Sequence, residues 1–218
     1  MHIMDQNCGF CAEINNIDND HNLLNRWIKQ ESGLNSRVIF ETKNFVVLPT
    51  LGSFVEGYLL VVAKDHYPCM GALPDELMSE AEQVIQKTRS IIKRVYKTNV
   101  VSFEHGALSC SNKFGGCLDH AHMHIVPFES NLSPIISQYN MDLSKGCFFD
   151  VKHRWINEKP YLFFMDTDDS CYFIESDVMP SQFIRQVICA KIGKPDSWDW
   201  RENPFINNLL ETVNKLSV

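Results

Sequence analysis

Asp119-His120-Ala121-His122-Met123-His124-Ile125-Val126-Pro127 sets three histidines at alternate positions, with Ala121, Met123 and Ile125 between them. Side chains of a β-strand point to opposite faces with period two. Read as a strand, the run puts His120, His122 and His124 on one face and the three apolar residues on the other. A helix would scatter the histidines by about 200° per step. Val126 and the strand-ending Pro127 also favour the extended reading. Three imidazoles about 6.5–7 Å apart on one face suit two kinds of chemistry: holding a metal or gripping a phosphoryl group. One of the three could serve as a nucleophile, with the others setting its tautomer. Three of the chain's 8 histidines within five positions is not background.

Working outward, Val100-Val101-Ser102-Phe103-Glu104-His105 reads as the preceding strand, joined to the triad by a Gly/Ser/Asn loop over 106–116. Upstream of both, Pro74 to Tyr96 is the longest helical pattern. Pro74, Asp75 and Glu76 suit its first turn, and Leu77, Ala81, Val84, Ile85, Thr88, Ile91, Ile92 and Val95 form one apolar stripe. Earlier still, Arg37 to Thr42 and Phe45 to Pro49 read as a hairpin. Tyr58 to Ala63 is a continuous apolar run suited to a buried central strand. His21 to Lys29 has helical spacing, and residues 1–20 read as irregular.

The bulk numbers exclude several classes. A 218-residue chain that is 44% hydrophobic and 22% charged is ordinary globular protein with room for a large core. Its formal charge of −7 argues against coating extended nucleic acid. No apolar stretch reaches the ~18–20 residues that span a bilayer, so no membrane partner is expected. The first residues show no basic-then-apolar leader, and 8 cysteines are too sparse for a disulfide scaffold. Both point to a reducing, cytoplasmic setting.

The triad and the residues after it resemble the signature of the histidine-triad (HIT) family, His-x-His-x-His followed by two hydrophobic residues. The order ββ–β–long α–ββ also matches that family's architecture, and the resemblance covers about residues 8–128. It implies an α+β, HIT-like fold: a mainly antiparallel sheet, one long helix and a C-terminal helical and hairpin extension. The expected organisation is a HIT-like domain at 1–128 and an extension at 129–218 packed on the same core. In that extension Tyr161-Leu162-Phe163-Phe164 and Cys171-Tyr172-Phe173-Ile174 flank an Asp-rich turn, a hairpin signal. Pro134 to Tyr139 reads as a short helix and Ser181 to Lys191 as a longer one. Asn203-Pro204 reads as N-cap and first residue of a last helix over 205–216. The stretch Pro180-Ser181-Gln182-Phe183 with Arg185 and Trp198-Asp199-Trp200-Arg201 is similar to C-terminal extensions of some HIT-related proteins, splicing-associated CwfJ-like ones among them. Arg201 is expected in a buried ion pair.

The resemblance also implies an activity. In HIT enzymes the middle histidine attacks an α-phosphate, which maps onto His122, with His124 beside that phosphate and His120 supporting the array. The expected function is a nucleotide phosphohydrolase or nucleotidyl transferase of the nucleoside phosphoramidate or dinucleoside polyphosphate class, working through a nucleotidyl-histidine. The alternative is a catalytically weak nucleotide- or RNA-associated binding protein on the same fold.

Two departures bear on that choice. Tyr58, in Gly57-Tyr58-Leu59-Leu60-Val61, stands where the family often has a second phosphate-side histidine. Gly116, in Gly115-Gly116-Cys117-Leu118-Asp119-His120, stands where the family has a Gln that bridges to the leaving group. Residues offered as substitutes on the substrate side are Tyr58, His105, Lys113 and the backbone of Gly115 and Gly116.

Cys8-Gly9-Phe10-Cys11 has structural-zinc spacing but supplies only two of the usual four ligands; two ordinary thiols are the alternative. Bacterial HIT proteins often carry such a CxxC, completed by a His after the central strand and the first triad His. The matching residues are His66 and His120, so the resemblance implies a closed zinc site of Cys8, Cys11, His66 and His120. It implies a nucleotide substrate as partner and leaves open the homodimer usual in the family.

Overall fold

The computed structural model describes residues 3–106, 119–175 and 179–217. Its frame is one eight-stranded sheet in the order β1-β2-β3-β5-β4-β7-β8-β6. The strands are β1 (Phe40–Glu41), β2 (Phe45–Pro49), β3 (Leu59–Ala63), β4 (Val100–Gly106), β5 (His122–Pro127), β6 (Ser144–Gly146), β7 (Tyr161–Met165) and β8 (Cys171–Glu175). Every pairing is antiparallel. The helices are α1 (Gly9–Ile14), α2 (Gln30–Ser32), α3 (Asp75–Tyr96), α4 (Ser133–Ile136), α5 (Asp150–Ile156), α6 (Phe183–Lys191) and α7 (Ile206–Leu216). The fold is therefore α+β, with the antiparallel sheet, long helix and C-terminal hairpin and helices that the sequence predicts.

Both faces of the sheet are buried, which explains the continuous apolar runs of β2, β3 and β7. One face carries Val47, Val61, Met123, Ile125 and Phe163 and is covered by the stripe of α3, including Ala81, Val84, Ile85 and Ile92. The other carries Leu48, Leu60, Phe103, Val126, Leu162 and Phe164 and is covered by Phe10, Leu24, Ile28, Ile184, Ile188 and Leu209. The period-two alternation of β5 places His122 and His124 on this second face. The residues after 128 thus extend the triad's own sheet through β7, which pairs with β4 from Ser102↔Met165 to Gly106↔Tyr161.

Several elements differ from the sequence reading, each for a local reason. β1 is regular only at Phe40–Glu41, because Arg37 turns inward onto Glu13 of α1 and the Pro49 carbonyl. Pro74 is the N-cap of α3 and lies outside its first turn. Asn203-Pro204 precedes α7, whose N-cap is Phe205 at φ +49; Asn203 instead donates back to Asp196 and Asp199 carbonyls. Residues 9–14 are a helix, too short for any periodicity to show. α5 buries only Val151 and presents no apolar stripe. Arg201 is exposed and lies over the Trp200 ring at 4.7 Å; the buried arginine of this region is Arg185. Among the described residues no helix is long and apolar enough to cross a membrane.

The segment before Tyr58 is gripped by the C-terminal residues. Gly52 N donates to the Pro204 carbonyl at 2.8 Å and Gly57 N to Thr212 Oγ1 at 2.8 Å. Arg185, Lys194 and Asn208 donate to the carbonyls of Gly52, Phe54 and Ser53. Gly52 has φ +72 and lies so close to Trp200 and Arg185 that a Cβ would collide with both, so glycine is required there.

Candidate active site and metal-ligand cluster

The triad takes its geometry from β5 and the strands beside it. Val62↔His122 and Leu60↔His124 pair across β3, and Phe103↔His124 across β4. That last register stacks the Phe103 and His124 rings at 4.4 Å and 8°. His122 and His124 follow at 4.8 Å, centroid to centroid. Phe10 sits 5.5 Å from both His120 and His122. The rings are thus fixed by aromatic neighbours from β4 and α1.

Backbone carbonyls set two tautomers. A carbonyl only accepts, so the 2.7 Å contact of His120 Nε2 with Ala63 O places the proton on Nε2 and leaves Nδ1 bare. His122 is the reverse. Its Nδ1 donates to His120 O at 2.5 Å, which leaves Nε2 bare with a lone pair. Burial holds His122 well below the ordinary imidazole range, to about 4, despite the carbonyl bond that pulls the other way. It is therefore neutral near pH 7, although its ring is still partly open to solvent. His124 Nδ1 lies 2.7 Å from the Tyr58 hydroxyl. Burial first, then His122 and Arg185, keep His124 neutral as well.

His105 ends β4 with its ring 6.5 Å from His124. Its Nε2 is buried with no hydrogen-bond partner among the described residues. Burial, His122 and Arg185 lower its pKa to about 3. Tyr58 and His105 thus stand with the triad. Lys113, Gly115 and Gly116 lie outside the described residues.

The four residues expected to bind metal converge from three segments. Cys8, Cys11, His66 and His120 each direct one donor atom to a common point, all within 4.8 Å of one another. Cys8 Sγ lies 3.3 Å and Cys11 Sγ 3.7 Å from His120 Nδ1, and Cys11 Sγ lies 3.5 Å from His66 Nδ1. A tetrahedral zinc with ordinary Zn–S and Zn–N bonds needs S···N edges of about 3.5 Å. The donor set fits, and the Ala63 carbonyl holds the His120 Nδ1 lone pair toward it, as a second-shell partner of a metal-bound histidine does. The hydrogen bond between the two thiols raises Cys8 and lowers Cys11; His120 and His66 lower Cys11 further. The contact with Cys11 raises His66. This cluster could hold a metal ion.

Sequence reasoning missed three members of the site. Phe10 was hidden in an element with no periodic signal, although it lies between the two cysteines. Phe103 was assigned to a strand, but its partner depends on register. Arg185 reaches the site from 61 positions beyond His124 in chain order, through α6.

The family model described as the HIT domain matches residues 31–131. No curated protein matches the chain. Among solved structures, a hypothetical histidine triad nucleotide-binding protein from Sulfolobus tokodaii strain7 is 20% identical, with 56% of this chain and 69% of that one covered and a TM-score of 0.42. A HIT family protein from Bacillus anthracis is 20% identical over 58% and 76% of the two chains, TM-score 0.44. A histidine triad protein from Clostridium difficile is 21% identical over 58% and 95%, TM-score 0.42. The match leaves α1, with Cys8, Phe10 and Cys11, and everything after residue 131 outside it. The match to the HIT-domain model spans the residues that hold His66, His105 and the whole triad.

Proposed function

We propose that the chain hydrolyses or transfers a nucleotidyl group through a covalent bond from His122 to the α-phosphorus. The HIT family includes nucleotide hydrolases and transferases. The observation that carries the reading is the bare Nε2 of His122, held by the Nδ1–H bond to the His120 carbonyl. That nitrogen attacks phosphorus, the P–N bond forms, and the bond to the leaving group breaks with its electron pair going to that group. A proton from the site or solvent completes it. Water then attacks the same phosphorus, the P–N bond breaks, and its electrons return to Nε2 while the water's second proton leaves to solvent. Another nucleophile in place of water makes the reaction a transfer. The His124 ring lies 4.8 Å from that of His122 and the His105 ring 6.5 Å from that of His124, near enough to serve the non-bridging oxygens.

Phosphoramidates and dinucleoside polyphosphates are the substrate classes this chemistry suits, and a nucleotide is the partner. We assign the metal cluster to structural zinc, which would tie α1 to the end of β3 and to His120. The cytoplasm and the family's homodimer go with this reading. The test is His122→Ala. Turnover of adenosine 5′-phosphoramidate or diadenosine polyphosphate should fall by about three orders of magnitude or more, while AMP affinity changes far less. A mutant that turns over normally would refute the mechanism. A wild-type protein that binds nucleotide and never turns it over would favour the alternative, a binding protein in an RNA-associated setting, which the tail's likeness to CwfJ-like proteins suggests.

A further inference from the structure

Arg185 is only 2% exposed, yet no carboxylate faces it among the described residues. Its Nε donates to the Trp198 carbonyl and its Nη2 to the Gly52 carbonyl, each at 2.8 Å. Its guanidinium carbon lies 5.1 Å from the Phe54 ring centre and 5.3 Å from that of Tyr58. Two carbonyl dipoles and two ring faces stabilise a cation but do not cancel its charge. A buried charge is costly and needs a reason for its place. The Tyr58 ring leads directly on to the triad, because its hydroxyl meets His124 Nδ1.

We propose that Arg185 is a positioning residue of the triad site: lying over the Tyr58 ring, it polarises the phenol so that the hydroxyl donates to His124 Nδ1, and it supplies the positive field that favours an anionic phosphoryl group there. With Nδ1 accepting, the His124 proton sits on Nε2, where it serves as a hydrogen-bond donor to a non-bridging oxygen. The reverse tautomer would turn a lone pair toward the phosphate. The chain outside the HIT match thereby contributes to the site. The downward pull of Arg185 on both His105 and His124 is the same field acting on two imidazoles. The inference rests on reading the triad as a phosphoryl site.

The experiment is nitrogen-15 NMR of the histidine rings in the full chain, with AMP titration as the binding probe. Wild type should show His124 in the Nε2–H form. Arg185→Met should shift it toward a mixture and weaken AMP about tenfold, the scale for removing one charge about 10 Å away at an effective dielectric near 20. Arg185→Lys should restore most of the AMP affinity, and added salt should weaken wild type more than the Met variant. Tyr58→Phe leaves Arg185 and its carbonyl bonds in place, so it reports if Arg185→Met fails to fold; it should lose the tautomer bias. A folded Arg185→Met that binds AMP like wild type overturns the proposal. So does a Tyr58→Phe protein whose His124 stays fully in the Nε2–H form. Neither readout needs turnover, so a wild-type protein that forms no adduct on His122 would sink the reaction and leave these results to stand or fall alone.

Discussion

Arg37→Met should be among the most destabilising single changes, and it should act on the site through α1. Arg37 is 1% exposed and Glu13 8%. Their bond is bidentate, with Nε to Oε1 at 2.7 Å and Nη2 to Oε2 at 2.6 Å, and Nη1 donates to the Pro49 carbonyl at 2.5 Å. Methionine fills much the same volume, so the loss is one of charge and hydrogen bonds with little cavity. Breaking one side of such a pair leaves a buried carboxylate uncompensated, at a cost of roughly 3–5 kcal/mol. For a chain of this length that is a fall in melting temperature of roughly 6–20 °C. Glu13 belongs to α1, which carries Phe10 and Cys11. Hydrogen exchange in α1 should therefore rise more than in α3. Urea unfolding by linear extrapolation gives the magnitude. Arg37→Met with Glu13→Leu should recover most of the loss, because replacing both charges by apolar groups is often nearly neutral. A single-mutant loss under about 1 kcal/mol, or a double mutant no more stable than the single, would refute the reasoning.

Zinc should co-purify at about one per chain, and Cys8→Ser should lower both metal content and melting temperature, because metal bound only to the folded state adds to its stability; elemental analysis and calorimetry check this. Burial raises the Glu104 carboxyl from 4.5 to about 7, against the pull of Met70 N–H and the Tyr161 hydroxyl. Its contribution, on the order of 3 kcal/mol, is thus complete below pH about 4.5 and lost as pH rises through 7. Glu104→Gln should flatten the urea midpoint between pH 5 and 8, and parallel profiles of wild type and mutant would contradict this. Cutting the chain after Glu129 should give aggregated or molten protein by size exclusion and near-UV circular dichroism, since it bares the β4 edge and uncovers the face that carries Phe103 and Leu48. A soluble, cooperatively melting and active 1–129 fragment would contradict it.

How much of this was readable beforehand depends on the range of the interactions. The triad strand and the α3 stripe are local periodicities, so both can be read within a few residues. The hairpin of β7 and β8 also shows locally, but its docking on β4 depends on register across 55 or more positions and leaves no mark in the sequence. The metal-ligand set Cys8, Cys11, His66 and His120 came from a family resemblance, because two thiols and two histidines separated by more than 50 residues carry no pattern of their own. α1 and α5 are too short or too polar for a moment to emerge. The buried cations were the hardest. Arg37, Arg89 and Arg185 are each 1–2% exposed, though arginine is ordinarily a surface residue, and each is buried only because partners distant in sequence meet its donors. The same reason misplaced Arg201, which composition alone cannot tell from Arg185.

The central claim is the covalent bond to His122, and intact-protein mass spectrometry after rapid quench tests it most directly. Mixed with excess diadenosine polyphosphate or adenosine 5′-phosphoramidate and quenched under conditions that preserve phosphohistidine, the wild-type chain should gain the mass of one adenylyl group. Fragmentation should place that mass on His122, and His122→Ala should show none. Steady turnover with no adduct at any quench time, or an adduct on another residue that survives His122→Ala, would contradict the account.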